Sequence, residues 1–162
     1  MYDNNGIEVH CLRDHMEPKL LTFLPHHFLL ATGTKGGYLK YLDVSTGKLI
    51  CESKTKKGEP TALAQNPYNA IVGMGHSTGE VTFWTPNFGK PVVRMLCHAS
   101  APITTLAYEH TGKYMITCAK DSRMKVWDIR SFRTSLYDYF LPSPASASQF
   151  AQSSLFAVSF GN

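Results

Sequence analysis

Short runs of alternating apolar and polar residues recur along the chain, and each is followed by a cluster of turn-forming residues. The clearest run is 103–107 (Ile-Thr-Thr-Leu-Ala), which a turn at 109–113 follows. Small and apolar residues come next at 114–119, and then a polar turn at 120–123. A two-residue period predicts β-strands, and Gly, Asn, Asp and Pro between the runs predict tight turns. The pattern therefore predicts an all-β chain of short antiparallel strands.

The same order of strands and turns occurs three times, in residues 20–48, 60–90 and 102–130. Aligning the three segments places Tyr41, Trp84 and Trp127 in one column, and the column repeats every 43 residues. A period of about 40–45 residues with four strands is the signature of WD40 repeats, each of which builds one four-stranded blade of a β-propeller. The predicted fold class is therefore all-β, a partial WD40 β-propeller of about three full blades and two partial ones.

The predicted blade boundaries fall at turns. Full blades are predicted at 15–54, 55–97 and 98–140, with partial blades at 1–14 and 141–162. A closed propeller typically has four to eight blades, and an incomplete blade leaves an open strand edge. We therefore expect the chain to be a piece of a longer propeller or the product of a truncated gene model. A four-bladed closure that uses both partial blades is the less favoured alternative.

The third repeat is the most complete, since Trp127-Asp128 is the dipeptide that gives WD repeats their name. In the WD40 repeats that it resembles, four side chains form a hydrogen-bonded chain, and the matching positions here are His98, Thr117, Asp121 and Trp127. A buried indole N–H needs an acceptor, which a hydroxyl on the neighbouring strand supplies. We expect these four residues to have a structural role and no catalytic one.

The other two repeats depart from this pattern. The second has Met74 at the threonine position and Thr78 at the aspartate position, so we expect its network to be missing. The first has Tyr41 at the tryptophan position and Lys35 at the aspartate position, although His15 precedes its first strand as the histidine of the third repeat does. These two blades are expected to depend more on apolar packing.

The turns between second and third strands lie together on one rim of a propeller, and such loops carry contacts on a rigid scaffold. The candidate contact residues are Lys35, His76, Thr78, Lys120 and Arg123. For His76, which is expected to be exposed, stabilisation of the turn is the favoured role and a contact is the alternative. The net charge of +4 permits an acidic partner but does not identify one. If RNA is the partner, these charges are expected to contact phosphate and not bases.

The sequence contains no catalytic or cofactor motif in the structural context that the chemistry needs. Residues 33–37 are rich in glycine but lack the spacing of a phosphate-binding loop. Residues 75–79 match the Gly-x-Ser-x-Gly pattern but lie in a predicted turn between two β-strands, so they do not form the strand-to-helix turn of a nucleophile elbow. His26 and His27 lack a cysteine or acidic partner that would complete a metal site. The four cysteines are far apart, which favours free thiols in an intracellular protein, and no stretch predicts a signal peptide or a membrane span. We expect no enzyme activity, cofactor, metal, membrane association or small-molecule substrate.

Several stretches are more specific than the general repeat. They are residues 2–10, 23–30, 65–70, 75–81, 95–98 and 124–130. Together they resemble the nucleolar WD-repeat family associated with U3 small nucleolar RNA, which belongs to the small-subunit processome, and the resemblance covers nearly the whole chain. It implies a non-catalytic scaffold in processome assembly and 18S pre-rRNA processing, located in the nucleus and nucleolus.

The resemblance also implies partners. These are other processome proteins and, through backbone contacts, pre-rRNA or U3 small nucleolar RNA. Family members carry extended tails that make many contacts in the assembly, and this chain does not include them. The alternative is a generic WD40 adaptor that reads a peptide, for example in ubiquitin ligase or signalling complexes.

Overall fold

A computed structural model describes residues 1–12, 15–153 and 155–161 of the chain, which form strands and no helix, and so no helix that could cross a membrane. The first sheet contains β1 (Pro18–Leu24), β2 (Leu29–Thr34), β3 (Tyr38–Asp43) and β4 (Leu49–Lys54). The second contains β5 (Pro60–Gln65), β6 (Val72–His76), β7 (Glu80–Trp84) and β8 (Val93–Leu96). The third contains β9 (Ile103–Tyr108), β10 (Tyr114–Ala119), β11 (Arg123–Asp128) and β12 (Tyr137–Phe140). The fourth contains β13 (Ala145–Phe150) and β14 (Phe156–Phe160).

Each sheet is an antiparallel meander in which every strand pairs with the next one along the chain. The first strands of successive sheets pack against one another, β1 on β5, β5 on β9 and β9 on β13. The sheets are therefore arranged side by side around their first strands, and we call each of them a blade. We call the rim that carries turns 35–37, 77–79 and 120–122 the upper rim, and the opposite rim, with turns 25–28, 66–70 and 109–113, the lower rim.

The hydrophobic core lies between the blades. Residues of the first and second blades that pack together include Leu24, Ala31, Leu39, Tyr41, Val72, Met74 and Trp84. Residues of the second and third blades that pack together include Phe83, Met95, Ile103, Leu106, Met115 and Trp127. Ile116, Cys118, Met124 and Ala145 connect the third blade with the fourth sheet. Because successive side chains of a strand point to opposite faces, Phe83 and Trp84 lie in different cores.

The strand register corrects the predicted alignment of the first repeat by one residue. The turns on the upper rim end at Gly37, Gly79 and Ser122, all of which have positive φ angles. Counting from these turns, Leu42 and not Tyr41 is equivalent to Trp84 and Trp127, and Gly36 rather than Lys35 takes the aspartate position. Tyr41 is buried on the other face of β3, against the second blade.

Before the first blade, Tyr2 pairs with Glu8 in an antiparallel bridge around the turn at residues 4–6. This segment forms a groove with Leu21 and Leu30, which lie on the face of the first blade away from the second. Residues 13, 14, 154 and 162 lie outside the described part of the chain, and so does the predicted boundary at residue 14.

Candidate interaction rims and the histidine networks behind them

A chain of hydrogen bonds runs through the third blade from its core to the upper rim. The Trp127 indole N–H donates to the hydroxyl of Thr117 at 3.0 Å, and that hydroxyl lies 3.0 Å from Nε2 of His98. Nδ1 of His98 lies 3.1 Å from the Asp121 carboxylate. The consistent arrangement is a neutral histidine that accepts from Thr117 and donates to Asp121. The structure thus brings together the four residues that the sequence proposed as a network. Each of the polar groups that form these three hydrogen bonds has a partner within the network.

The second blade contains a different network where the sequence predicted none. The Trp84 indole N–H donates to the hydroxyl of Thr82 at 2.7 Å, and this hydroxyl lies 2.7 Å from Nε2 of His76. Thr82 is two residues before the tryptophan on the same strand, so it replaces the hydroxyl that Met74 lacks on β6. His76 is therefore not the exposed rim residue that the sequence predicted. It is the last residue of β6 and is 0% exposed.

The first blade contains the histidine–threonine hydrogen bond of these networks but not the tryptophan. Nδ1 of His15 lies 2.7 Å from the hydroxyl of Thr32, and both side chains are buried. Thr32 pairs with Lys40 as Thr117 pairs with Lys125, so the two threonines are equivalent in register. Leu42 stands at the tryptophan position and has no N–H to donate. The blades thus share a buried histidine–threonine pair that is built from different positions.

The environments of His76 and His98 favour the neutral form of both rings. Burial lowers the pKa of His76 from 6.5 to about 4, with Glu80 opposing the shift and Lys57 adding to it. Burial also lowers the pKa of His98, against the hydrogen bond and charge of Asp121. Neutral imidazoles can accept from a threonine hydroxyl, whereas imidazolium groups cannot. The arrangement in which each threonine hydroxyl accepts the indole N–H and donates to the histidine therefore requires the neutral ring.

We expect the free energy of unfolding to fall as the pH decreases from about 6.5 to about 4, because the unfolded chain takes up the His76 proton first. The stabilisation is present above the unfolded pKa and is lost as the pH approaches the folded one, and the share of His76 reaches about 3 kcal/mol. Urea unfolding of the chain at a series of pH values measures this dependence. The variant His76→Gln should show a shallower decrease; an unchanged slope would mean that His76 does not titrate on unfolding.

Three of the predicted contact residues have exposed side chains on the upper rim, namely Lys35, Thr78 and Lys120. The Thr78 hydroxyl donates to the backbone carbonyl of Lys57 at 3.1 Å, which ties its turn to the loop before β5. Lys35 and Lys120 form no ion pair with another described residue. Their ammonium groups are therefore available to an acidic partner.

Arg123 differs from these residues because its charge is already paired. Its guanidinium donates to the Asp138 carboxylate at 2.9 Å and lies 4.1 Å from the centroid of the Phe140 ring. The Lys125 ammonium lies 3.7 Å from the same carboxylate. These contacts attach the outer strand β12 to β11. Arg123 thus has a structural use that the sequence did not suggest.

The first blade adds positive charge to the upper rim. Lys54 and Lys56 are exposed beside the turn that carries Lys35, and the Lys54 ammonium lies 5.3 Å from the centroid of the Tyr38 ring. Neither lysine forms an ion pair with any other residue in the described ranges. In the second blade, by contrast, Lys57 pairs with Glu80 at 2.9 Å. The cationic part of this rim is therefore centred on the first blade.

One of the two adjacent histidines on the lower rim, His27, has a partner in the second blade. Nδ1 of His27 lies 3.1 Å from the amide nitrogen of Gln65, so this ring connects the first and second blades. Burial, followed by the charge of His26, lowers the pKa of His27. Within residues 1–12, 15–153 and 155–161, no group of three or more His, Cys, Asp and Glu side chains could hold a metal ion. All four cysteines are free thiols.

Comparison with protein families matches residues 89–128 to the model of the WD domain, G-beta repeat. That segment contains the complete network of the third blade, and the blades on either side have the same strand order. The chain is a partial WD40 β-propeller. The fold class predicted from the sequence is confirmed.

Curated relatives of this propeller align along its whole length. It is 43% identical to U3 small nucleolar RNA-associated protein 7 of Saccharomyces cerevisiae over 161 aligned residues. The aligned region covers 99% of this chain and 29% of that protein. It is 40% identical to WD repeat-containing protein 46 of Homo sapiens, in an alignment that covers 100% of this chain and 26% of that protein. It is 41% identical to the Caenorhabditis elegans protein of the same name, in an alignment that covers 100% of this chain and 28% of that protein. These findings confirm the resemblance. The chain spans less than a third of the length of these relatives.

Sequence reasoning missed a groove on the lower rim that contains Tyr68, Lys113 and Arg130. In the sequence, the stretch at 65–70 indicates a turn and a family resemblance, and the stretch at 109–113 indicates a turn. Three segments of the chain, at 68–69, 111–113 and 129–130, form this groove, so none of them alone gives a signal for it.

Proposed function

We propose that this propeller is a non-catalytic scaffold in small-subunit processome assembly and 18S pre-rRNA processing, and that it acts in the nucleolus. The observation that carries the proposal is 43% identity over 161 residues to a protein whose name associates it with U3 small nucleolar RNA. The similarity extends over 99% of the chain and is therefore not confined to one repeat. The activity and partners of the whole protein are part of the proposal.

The architecture supports a scaffold in preference to an enzyme. The buried histidines His76 and His98 each bind a threonine that accepts an indole N–H, so their lone pairs are already used. Their lowered pKa values keep them neutral, and they face the interior of the blades. A rigid framework that displays loops on two rims suits a protein that positions other macromolecules.

The upper rim is the proposed contact surface for processome partners. Lys35 and Lys120 are exposed and unpaired among the described residues, and Lys54 and Lys56 extend the positive charge on the first blade. Such charges bind phosphate without reading base sequence and weaken as salt rises. They suit contacts with pre-rRNA, U3 RNA or the acidic segments of processome proteins.

The test uses the full-length protein that contains this propeller, expressed with an affinity tag as the only copy in cells. We expect the wild type to co-sediment with precursor particles of the small ribosomal subunit. The double variant Lys35→Glu/Lys120→Glu should reduce the bound fraction several-fold, because it replaces two phosphate-binding charges with repulsive ones. Lys48→Glu, an exposed lysine on the lower rim, is the matched control and should change little.

This experiment tests the scaffold function and the role of the upper rim as its contact surface separately. Wild-type protein that sediments only with free proteins would contradict the scaffold function. Normal co-sedimentation of the double variant would leave the scaffold function in place and would exclude the upper rim as its main contact.

A further inference from the structure

A groove of about 520 Å³ lies on the lower rim between the second and third blades. The second blade contributes Tyr68 and Asn69, and the third contributes residues 111–113, Ile129 and Arg130. The groove thus combines an aromatic ring, two cationic side chains and an amide. It lies at the opposite end of the blades from the lysines of the upper rim.

The groove is held in shape by a buried side chain. Asn66 is buried; its amide N–H donates to the Gly112 carbonyl at 2.8 Å, and its oxygen accepts the backbone N–H of Tyr68 at 2.8 Å. Gly112 has a φ of +70°, and a Cβ atom there would lie 2.5 Å from Cβ of Tyr68. The two turns are therefore locked together. Tyr68 is fixed at its base while its side chain remains 83% exposed.

The cations of the groove retain binding capacity. Arg130 donates from Nε and Nη2 to the two oxygens of Asp128 at 3.0 and 2.7 Å, which orients the guanidinium and leaves Nη1 for a ligand. The Lys113 ammonium lies 5.0 Å from the ring centroid of Tyr114 and forms no salt bridge within the described residues. The second acidic group nearby, Glu109, is buried and accepts the Thr111 hydroxyl at 2.6 Å.

We propose that this groove binds one nucleotide of a single-stranded RNA, with its base stacked on Tyr68 and its phosphate bound by Lys113 and Arg130. Aromatic side chains stack on any base, and lysine and arginine are the usual phosphate donors in proteins. An apolar peptide side chain would use neither the Lys113 ammonium nor Nη1 of Arg130, and an acidic peptide would leave the tyrosine ring exposed. A nucleotide uses both features. The inference rests on the proposed function, in which RNA is one of the partners of the propeller.

The experiment measures binding of a fluorescently labelled oligouridine to the 162-residue chain by anisotropy. We expect Tyr68→Ala to weaken binding by about tenfold, the size of one lost stacking contact, and Tyr68→Phe to restore it. Phe28→Ala is the matched control, because Phe28 is also 83% exposed at the corresponding turn of the first blade but does not line the groove. Lys113→Gln should decrease the slope of log K against log salt by about 0.7. Thermal melts verify that each variant is folded.

Three results with oligouridine alone would overturn the inference. They are wild-type chain that does not bind oligouridine, Tyr68→Ala that binds as well as wild type, and Phe28→Ala that weakens binding as much as Tyr68→Ala. An acidic peptide that competes with oligouridine in the wild type and binds Tyr68→Ala equally well would identify a protein partner in place of RNA. Each of these results leaves the scaffold function intact if the full-length protein still co-sediments with precursor particles.

Discussion

Trp127→Ala is expected to lower the free energy of unfolding by about 3 to 5 kcal/mol, the usual cost of truncating a large buried aromatic side chain. Trp127 is 5% exposed and packs in the core between the second and third blades. Its N–H also supplies the first hydrogen bond of the chain that leads through Thr117 and His98 to Asp121. The substitution therefore opens a cavity and removes the donor to Thr117. Urea unfolding followed by tyrosine fluorescence or circular dichroism measures the change.

Two further variants separate packing from hydrogen bonding. Trp127→Phe keeps most of the ring contacts and loses the N–H, so we expect a smaller loss of about 1 to 3 kcal/mol. Tyr139→Ala removes an exposed aromatic side chain of the same blade and should change stability by about 0.5 kcal/mol or less. If Trp127→Ala were as stable as Tyr139→Ala, the assignment of Trp127 to the inter-blade core would be wrong.

Gly79→Ala should be destabilising by about 2 to 6 kcal/mol, because backbone strain and overpacking each cost about 1 to 3 kcal/mol. Gly79 has a φ of +82°, and a Cβ atom there would collide with the backbone carbonyl of His98 and lie 2.8 Å from that of Ala101. Its own carbonyl accepts the N–H groups of Cys97 and His98, so backbone movement would disturb the loop that positions His98. Thermal or urea unfolding of the purified variant measures the effect.

Gly6→Ala is the matched control for this prediction. Gly6 has nearly the same φ, +77°, but a Cβ atom there would have no neighbouring atom within 4 Å, so only the backbone strain remains. We expect it to cost about 1 kcal/mol. Equal losses in the two variants would contradict the claim that the backbone of His98 and Ala101 excludes a side chain at position 79.

The repeat was predictable because each blade uses the same succession of strands and turns. The register of the first blade was not, because Tyr41 looks like the missing aromatic residue while the equivalent position holds Leu42. An aromatic residue one position away is a stronger sequence signal than a leucine in the correct place. Only the pairing with β2 and the positive φ at the preceding turn fix the alignment.

The histidine networks, like the register of the first blade, were only partly predictable from the sequence. The third blade follows the family pattern, so its four residues could be named from the sequence. In the second blade the hydroxyl comes from Thr82, on the strand of Trp84, and the histidine comes from the end of β6. A polar residue beside a turn usually faces solvent, and that expectation failed for His76 because this hydroxyl supplies a buried partner. The groove at Tyr68 depends on the meeting of two blades, which sequence spacing alone does not give.

The measurement that tests the central claim most directly is the RNA and protein content of the full-length protein purified from nuclear extract. A scaffold of ribosome assembly should recover U3 small nucleolar RNA, pre-rRNA and other processome proteins at levels well above those of a mock purification. The upper-rim double variant Lys35→Glu/Lys120→Glu should recover less of each. Recovery of cullin-type or membrane-signalling partners without RNA would contradict the account and would favour a peptide-reading adaptor.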